Sequence, residues 1–442
     1  MNARRARRLG AAAALLAIAA VSCGGGSSRA PTPTSWSAEV TSTGCPGGPG
    51  ALPRSSCRTL LISGPNVPGL KVQLRIIEPD PSQTLRGTVL FGTGGDGDTF
   101  YGEQTGADLL FSSLSDLGYR VVDRAWLSRW WAAGHSIRTQ SRRYATLLSW
   151  VHDNIHTTGT FSASGNSSGA GEIGYALTTW NRARLLDVAV LTSGPPMTRL
   201  DYVCASSIPA VWQSRCPTLA PPGVFTCGAL TCVLGPTNEG VRLCQALSPN
   251  ATPAMLHGDS ILHPGATTDY GDARVHLVFG TMDCTSGVAS GLLFHDEVQS
   301  EKVLEFAVNT PHFVPTSAEG RDAITRAILG VSPGAAGPAS ISAPARPQED
   351  GTMQLQLRGA AGASYHLFLS FDVTSGRELG GLGWWFLRAP VIDLGSGVLP
   401  ASGQATRTMR LPTDEALRGL RLFDQAVIGS RLSNLASTTI LP

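Results

Sequence analysis

The chain has almost no imbalance of charge: 34 Lys and Arg stand against 32 Asp and Glu over 442 residues, a formal net charge of +2. Its basic residues are scattered rather than clustered, so no nucleic acid partner is expected. It has no C-x-x-C pair and no histidine at zinc-finger spacing from a cysteine, which argues against a structural zinc site. Beyond the extreme N-terminus it has no apolar run approaching the roughly 20 residues that a membrane-spanning helix needs. What remains is an ordinary globular composition, long enough for two domains.

The N-terminus differs in kind. Arg4, Arg5, Arg7 and Arg8 precede an apolar run over residues 9–21, too short to span a bilayer, which reads as an export signal. The run ends Ala20-Val21-Ser22-Cys23, which resembles a bacterial lipobox, with Ala20 where Leu is usual. That resemblance implies a signal peptide over residues 1–22, cleavage before Cys23 and acylation of Cys23. The protein is then a cell-envelope lipoprotein, anchored at the outer membrane or surface, and membrane contact is through the lipid alone. A plain secretory signal is the alternative. Residues 23–37 are rich in Gly, Ser, Pro and Thr and read as a flexible tether.

Eight further cysteines follow: Cys45, Cys57, Cys204, Cys216, Cys227, Cys232, Cys244 and Cys284. An even number in an exported chain suggests up to four disulfides. Short separation favours Cys45 with Cys57 and Cys227 with Cys232, and Cys244 is expected to pair with Cys284.

Residues 59–63 and 70–77 alternate apolar and polar positions, as an antiparallel edge pair does. From residue 87 the rhythm becomes strand, loop, helix. Strands are expected over 88–91, 119–122, 159–164, 186–191, 275–279 and 302–307. Helices are expected over 104–117, 140–155, 170–180 and 318–329. This alternation predicts an α/β fold with a doubly wound, mostly parallel sheet over residues 38–330. Residues 195–272 break the pattern, are rich in Pro and Gly, and hold five cysteines. They read as a disulfide-rich cap insertion. Residues 331–348 look like a linker, and residues 349–442 carry short alternating runs between Gly/Pro turns, the pattern of a β-sandwich module.

One stretch carries chemistry on its face. Gly165-Asn166-Ser167-Ser168-Gly169 reads G-x-S-x-G and lies between an expected strand and an expected helix. A serine on so sharp a turn is pushed outward, where its hydroxyl can attack a carbonyl. Such a serine needs a base, an acid to orient that base, and donors for the oxyanion. Asp283 follows the 275–279 strand. His312 lies in a turn after the last strand of the sheet and just before its last helix. His257, His263, His276 and His295 are rivals for the base, and Asp269, Asp272 and Asp296 for the acid. Backbone N–H groups of Ser168 and of Gly95 or Gly94, in the glycine-rich run after the 88–91 strand, are the expected oxyanion donors. The plain alternative is a turn serine in a binding protein. Trp126, Trp130 and Trp131 either line a cleft or pack beneath a loop, and Glu172 is given no role.

Taken together, Gly92-Thr93-Gly94-Gly95, the Ser167 pentapeptide, Gly194-Pro195-Pro196, Asp283 and His312 resemble the α/β-hydrolase superfamily, in particular secreted bacterial members of undefined substrate. The resemblance covers residues 87–329. It implies Ser167 as nucleophile, Asp283 as acid and His312 as base, acting on a small-molecule or polymeric ester through an acyl-enzyme, with no metal and no cofactor. The glycine-rich run departs from the family in lacking the His-Gly start of many lipases. A peptidase on the same fold, or a non-catalytic surface lipoprotein that uses it as a scaffold, are the alternative readings. No propeller-sized domain precedes the core, which disfavours the prolyl-oligopeptidase arrangement.

Overall fold

The central sheet follows from six fully buried residues. Strand β4 (Gly87–Gly92) reads GTVLFG and is buried at every position, so both its faces must be covered. In the computed structural model it lies inside a nine-stranded sheet with β1 (Ser37–Thr43), β2 (Ser55–Gly64), β3 (Val67–Ile77), β5 (Tyr119–Trp126), β6 (Thr160–Asn166), β7 (Val188–Thr192), β8 (Arg274–Gly280) and β9 (Lys302–Ala307). The order is β1-β2-β3-β5-β4-β6-β7-β8-β9. Strands β5, β4, β6, β7, β8 and β9 are parallel, whereas β3 pairs antiparallel with β5, and β1 to β3 form an antiparallel meander.

The structure describes residues 35–45, 54–204, 225, 243–245, 251–329, 339–342, 352–371, 373–378, 384–411, 421–433 and 436–439. The expected signal peptide, Cys23, the tether up to residue 34, Cys216, Cys227, Cys232, most of the insertion and most of the linker lie outside them.

Alternate residues of the parallel strands feed two apolar layers. Val89, Phe91, Val121, Val190 and Val278 pack against the helices Ala107–Asp116 and Ala318–Ile328. Leu90, Val122, Ala163, Leu191, Leu277 and Phe279 face the helices Arg142–Asn154, Ser168–Thr178 and Ser286–Glu297. Each observed strand and helix of this region that the sequence anticipates lies within a few residues of its expected place. Apart from helices of one or two turns, two elements of this region were not anticipated. The Ser286–Glu297 helix is buried continuously from Ser286 to His295, so it has no polar stripe to betray its period. Strand β1 begins at Ser37, where the tether was expected to end, and β1 rather than β2 forms the sheet's edge.

Both described ends of the insertion are rooted in the core. Leu200 and Val203, in the short helix Leu200–Val203, are buried there, as are Leu256, in the helix Pro253–Asp259, and Ile261. Cys45 is bonded to Cys57 as spacing suggested. The expected Cys244–Cys284 pair is not formed: Cys244 is bonded to Cys204, with Cα atoms 5.4 Å apart. A disulfide is chosen by Cα separation in space. Leu243 is buried in the same cluster as Leu200 and Val203, which brings Cys244 beside Cys204. Cys284 is disulfide-bonded as well, so its partner is another cysteine.

After the last helix, strands β10 (Ala339–Ser342) and β11 (Thr352–Gly359) begin a set of antiparallel sheets. Strand β10 lies within the stretch read as linker. The other strands are β12 (Ser364–Ser370), β13 (Val373–Glu378), β14 (Trp384–Leu387), β15 (Val391–Val398), β16 (Gln404–Arg410), β17 (Arg421–Ile428), β18 (Arg431–Leu432) and β19 (Ala436–Thr439). One sheet runs β10-β11-β16, the other β15-β12-β17-β18 with β19 also on β17, and β13 and β14 form a ribbon. Met353, Leu355 and Leu357 of one sheet and Leu367, Leu369, Ala426 and Ile428 of the other share one apolar core, which makes a sandwich. The described residues from Ser35 onward belong to one compact unit.

Candidate active site

Strands β4 and β6 are neighbours, but the chain leaves β4 for β5 on one side and leaves β6 for β7 on the other, so the two connections run in opposite directions. A crevice opens outside the carboxyl ends of strands at such a switch point. The glycine-rich run after β4 and the turn after β6 therefore meet there.

Ser167 occupies that turn with φ +53° and ψ −117°, and it is half-buried. Its N–H donates to the Thr192 carbonyl at 2.8 Å, and its own carbonyl accepts from Gly171 N–H at 3.1 Å, so the turn is fixed from both sides. A side chain at Gly169 would place its Cβ 2.5 Å from the Gly92 carbonyl oxygen, which explains the glycine two residues on. A left-handed φ is uncommon for serine, and strain of this kind gathers at functional positions.

Ser168 opens the helix Ser168–Thr178, so its N–H has no acceptor within the helix. Its Oγ donates to the Gly95 carbonyl at 2.5 Å and ties the glycine run to the serine turn. Gly94 is closer still: a Cβ there would lie 2.8 Å from Ser167 Cβ. Ser167, Ser168, Gly94 and Gly95 are thus brought together.

Asp283 follows β8 and is almost fully buried. Its Oδ1 accepts from Thr285 N–H at 3.0 Å, and its Oδ2 lies 2.9 Å from His312 Nδ1. Burial pushes the Asp283 pKa up, but the His312 contact and the Thr285 N–H outweigh it and hold the carboxyl below its ordinary range. An ionised carboxylate only accepts, so Nδ1 of His312 carries the hydrogen and the lone pair falls on Nε2. The His312 side chain keeps 38% of its surface exposed, against 0% for Asp283. That leaves the ring accessible and its anchor dry.

The turn bearing His312 is tied to its neighbours. Met282 N–H donates to the Thr310 carbonyl at 3.0 Å, and Asn309 N–H to Thr281 Oγ1 at 2.9 Å. Val314 N–H reaches Asn166 Oδ1 at 3.4 Å, and the same oxygen accepts from Thr192 Oγ1 at 2.8 Å. Asn166, one residue before Ser167, therefore joins the histidine turn to the serine strand. Phe313 packs on Tyr101 with ring centroids 5.0 Å apart.

The rival residues sit elsewhere. His276 is buried within β8 and burial pushes its pKa down to about 3, so it is a neutral core residue. His257 bonds the Leu262 carbonyl and His263 the Pro264 carbonyl, both within the insertion, and His295 is buried in a helix. Asp269 bonds Gly271 N–H and Ser300 Oγ, and Asp296 lies 3.8 Å from His295. Trp126, Trp130 and Trp131 are buried in the core and do not line an open cleft. Asn166, Thr285 and Arg124 were given no part by the sequence, and Glu172 was noted there but assigned no role. Only Glu172 left a trace there, as a lone charge in the run Gly171-Glu172-Ile173-Gly174-Tyr175 of a helix buried at every position.

The decisive feature is the order of parts along the sheet. An antiparallel β3 leads into the crossed β5-β4-β6, a serine turn follows β6, an acid follows β8, and a histidine follows β9. This is the α/β-hydrolase fold. No family model and no curated protein matches the sequence. Among solved structures, the chain is similar to Est1E from Butyrivibrio proteoclasticus, at 11% identity over 62% of this chain and 96% of that one, with a TM-score of 0.37. It is similar to an S-formylglutathione hydrolase from Agrobacterium tumefaciens, at 11% identity over 66% and 99%, TM-score 0.39. It is also similar to brefeldin A esterase, described as a bacterial homologue of human hormone sensitive lipase, at 16% identity over 65% and 78%, TM-score 0.45.

Proposed function

We propose that the protein is an exported serine hydrolase of carboxylic esters, with Ser167 as nucleophile, His312 as base and Asp283 as the acid that orients it. The observation carrying this reading is the Asp283–His312 pair at 2.9 Å, at the sheet edge where the β6 turn presents Ser167. Ser167 Oγ attacks the ester carbonyl while His312 Nε2 takes its proton. The N–H groups of Ser168 and Gly95, or Gly94, hold the oxyanion. The imidazolium then protonates the leaving alcohol, and an acyl-enzyme remains. Water deprotonated by His312 attacks that ester and restores the serine. Asp283 stays ionised throughout and stabilises the imidazolium. This chemistry needs no metal and no organic cofactor, and it takes a small-molecule or polymeric ester.

Residues 38–330 form the hydrolase domain in this reading, with 195–272 as its cap and 349–442 as an attached module. The disulfides support an oxidising compartment. Lipidation at Cys23 would hold the protein at the envelope, and the tether would keep it clear of the surface.

Ser167→Ala tests the assignment. A fluorophosphonate probe is expected to label the parent and not the variant, and kcat on p-nitrophenyl acetate is expected to fall by several orders of magnitude. Equal labelling of the two proteins removes Ser167 as nucleophile. Peptide anilides cleaved faster than matched esters would turn the reading towards a peptidase.

A further inference from the structure

The glycine run after β4 is folded around a buried cation. Arg124, from β5, is fully buried; its Nη1 donates to the Gly97 carbonyl at 2.9 Å and its Nη2 to the Thr93 carbonyl at 3.4 Å. Nη2 also donates to Glu172 Oε2 in an ion pair whose two side chains are both wholly buried. Glu172 comes from the helix that starts immediately after Ser167, and its Oε1 accepts from Trp126 Nε1 at 2.7 Å. A Cβ at Gly92 would lie 2.6 Å from the guanidinium, and one at Gly97 2.8 Å from it. The backbone at Gly92 and Gly97 thus lies too close to Arg124 to carry a Cβ.

The remaining carbonyls of the run are also engaged. Gly94 O accepts from Gly97 N–H at 3.1 Å, Asp96 O from Trp130 N–H at 3.1 Å, and Gly95 O from Ser168 Oγ at 2.5 Å. Every carbonyl from Thr93 to Gly97 therefore has a donor. In a trans peptide the C=O and the following N–H point opposite ways, so holding the carbonyls also aims the N–H groups. With Thr93 O drawn to Arg124, Gly94 N–H points away from the guanidinium. The loop's other flank is the serine, whose Cβ would meet a Cβ on Gly94 at 2.8 Å.

We propose that Arg124, held by Glu172 and Trp126, is the positioning residue that aims the loop's oxyanion donor at the substrate carbonyl, whether Gly94 N–H, set directly through the Thr93 carbonyl, or Gly95 N–H, set through the turn that Gly97 closes. The Arg124–Glu172 pair therefore governs turnover rather than substrate affinity. This rests on the reading of Ser167 as the nucleophile of a hydrolase. Burial pushes the Arg124 pKa down to about 10, so the guanidinium keeps its charge at neutral pH. A lysine keeps the charge but supplies one compact ammonium in place of a planar fork, and so cannot serve both carbonyls and the carboxylate in the same geometry.

The experiment uses the full chain with Arg124→Lys, Glu172→Gln and the paired apolar variant Arg124→Met/Glu172→Met. Each is checked for parental near-ultraviolet circular dichroism. Then kcat and KM are measured on p-nitrophenyl acetate, with Ki for a trifluoromethyl ketone, which forms a tetrahedral oxyanion on the serine. Folded Arg124→Lys is expected to lose about 100-fold or more in kcat, the scale of a lost oxyanion donor, and to weaken Ki by a similar factor, with KM within about threefold of the parent. The paired variant, which leaves no unpaired buried charge, is expected to fold and show the same loss. Folded variants with the parent's kcat and Ki overturn the proposal and leave the hydrolase reading intact. Failure of all three to fold assigns the pair to stability alone and also overturns it. A parent that neither turns over ester nor labels at Ser167 sinks the hydrolase reading itself, and this proposal with it.

Discussion

In the proposed triad, Asp283 acts through the ring it holds. Its carboxylate accepts from Thr285 N–H and faces His312 Nδ1, so the tautomer of the imidazole is set by an acceptor-only neighbour. Asn at this position offers an amide that can present N–H to Nδ1, which places the ring's hydrogen on Nε2, where it cannot act as base. Asp283→Asn is therefore expected to lower kcat by about three to four orders of magnitude with little change in Tm, as read by steady-state kinetics beside thermal unfolding. The same carboxyl, held below its ordinary pKa, contributes stability above the pKa of an unfolded aspartate. That contribution disappears only as pH falls through the lower, folded value, so Asp283 is expected to add no pH dependence of stability near neutrality. Gly94 yields a second prediction at this scale. A Cβ there meets Ser167 Cβ at 2.8 Å and the Asn166 carbonyl oxygen at 3.1 Å, and neither is the far end of a flexible chain. Gly94→Ala is expected to shift the serine turn and reduce kcat at least tenfold, measured alongside the fluorophosphonate labelling rate.

Among the elements, β17 holds an anomaly with a measurable signature. Asp424 is fully buried there, neither carboxyl oxygen has a partner among the described residues, and burial pushes its pKa up to about 8. The unfolded chain releases this proton near pH 4, whereas the folded chain keeps it until about pH 8. The folded state then binds the extra proton, so stability falls as pH rises through that window, by on the order of 1 kcal/mol per unit. Asp424→Asn removes the ionisation and is expected to flatten the fall, so that the variant gains on the parent at pH 7.5 and not at pH 4. Urea midpoints at the two pH values check this, and equal slopes for the two proteins would refute it. Elements were legible in the sequence where burial was one-sided or where whole strands were apolar. The Ala318–Ile328 helix buries Ala323, Ile324, Ala327 and Ile328 along one stripe, and β4 is a short apolar run between glycines. The Ser286–Glu297 helix was not, because a helix covered on all sides has no face to alternate.

For the whole molecule, Ser167, Asp283 and His312 were singled out by the pentapeptide and by positions after expected strands, and each does follow the carboxyl end of a parallel strand. Partners brought in from distant sequence were not legible. Cys204 finds Cys244, and Arg124 finds Glu172, through packing that no local pattern encodes. Nor was the union of the two halves. A Pro- and Gly-rich stretch suggested separate domains, yet Leu387 of β14 and Phe423 of β17 are buried in the same apolar cluster as β6, β7 and β8 of the central sheet. Phe368 and Trp385 pack on that cluster from the module side, with ring centroids 5.2 Å apart. Such sharing packs one side of the sandwich against the apolar core of the central sheet, and cooperative unfolding should follow. Phe423→Ala in the full chain removes a side chain only 2% exposed, at a cost of about 3 to 5 kcal/mol. One calorimetric transition is expected for both proteins, moved down as a whole by several degrees in the variant. Two resolved transitions, of which only one moves, would mean that the module folds by itself and that the shared cluster does not couple the halves.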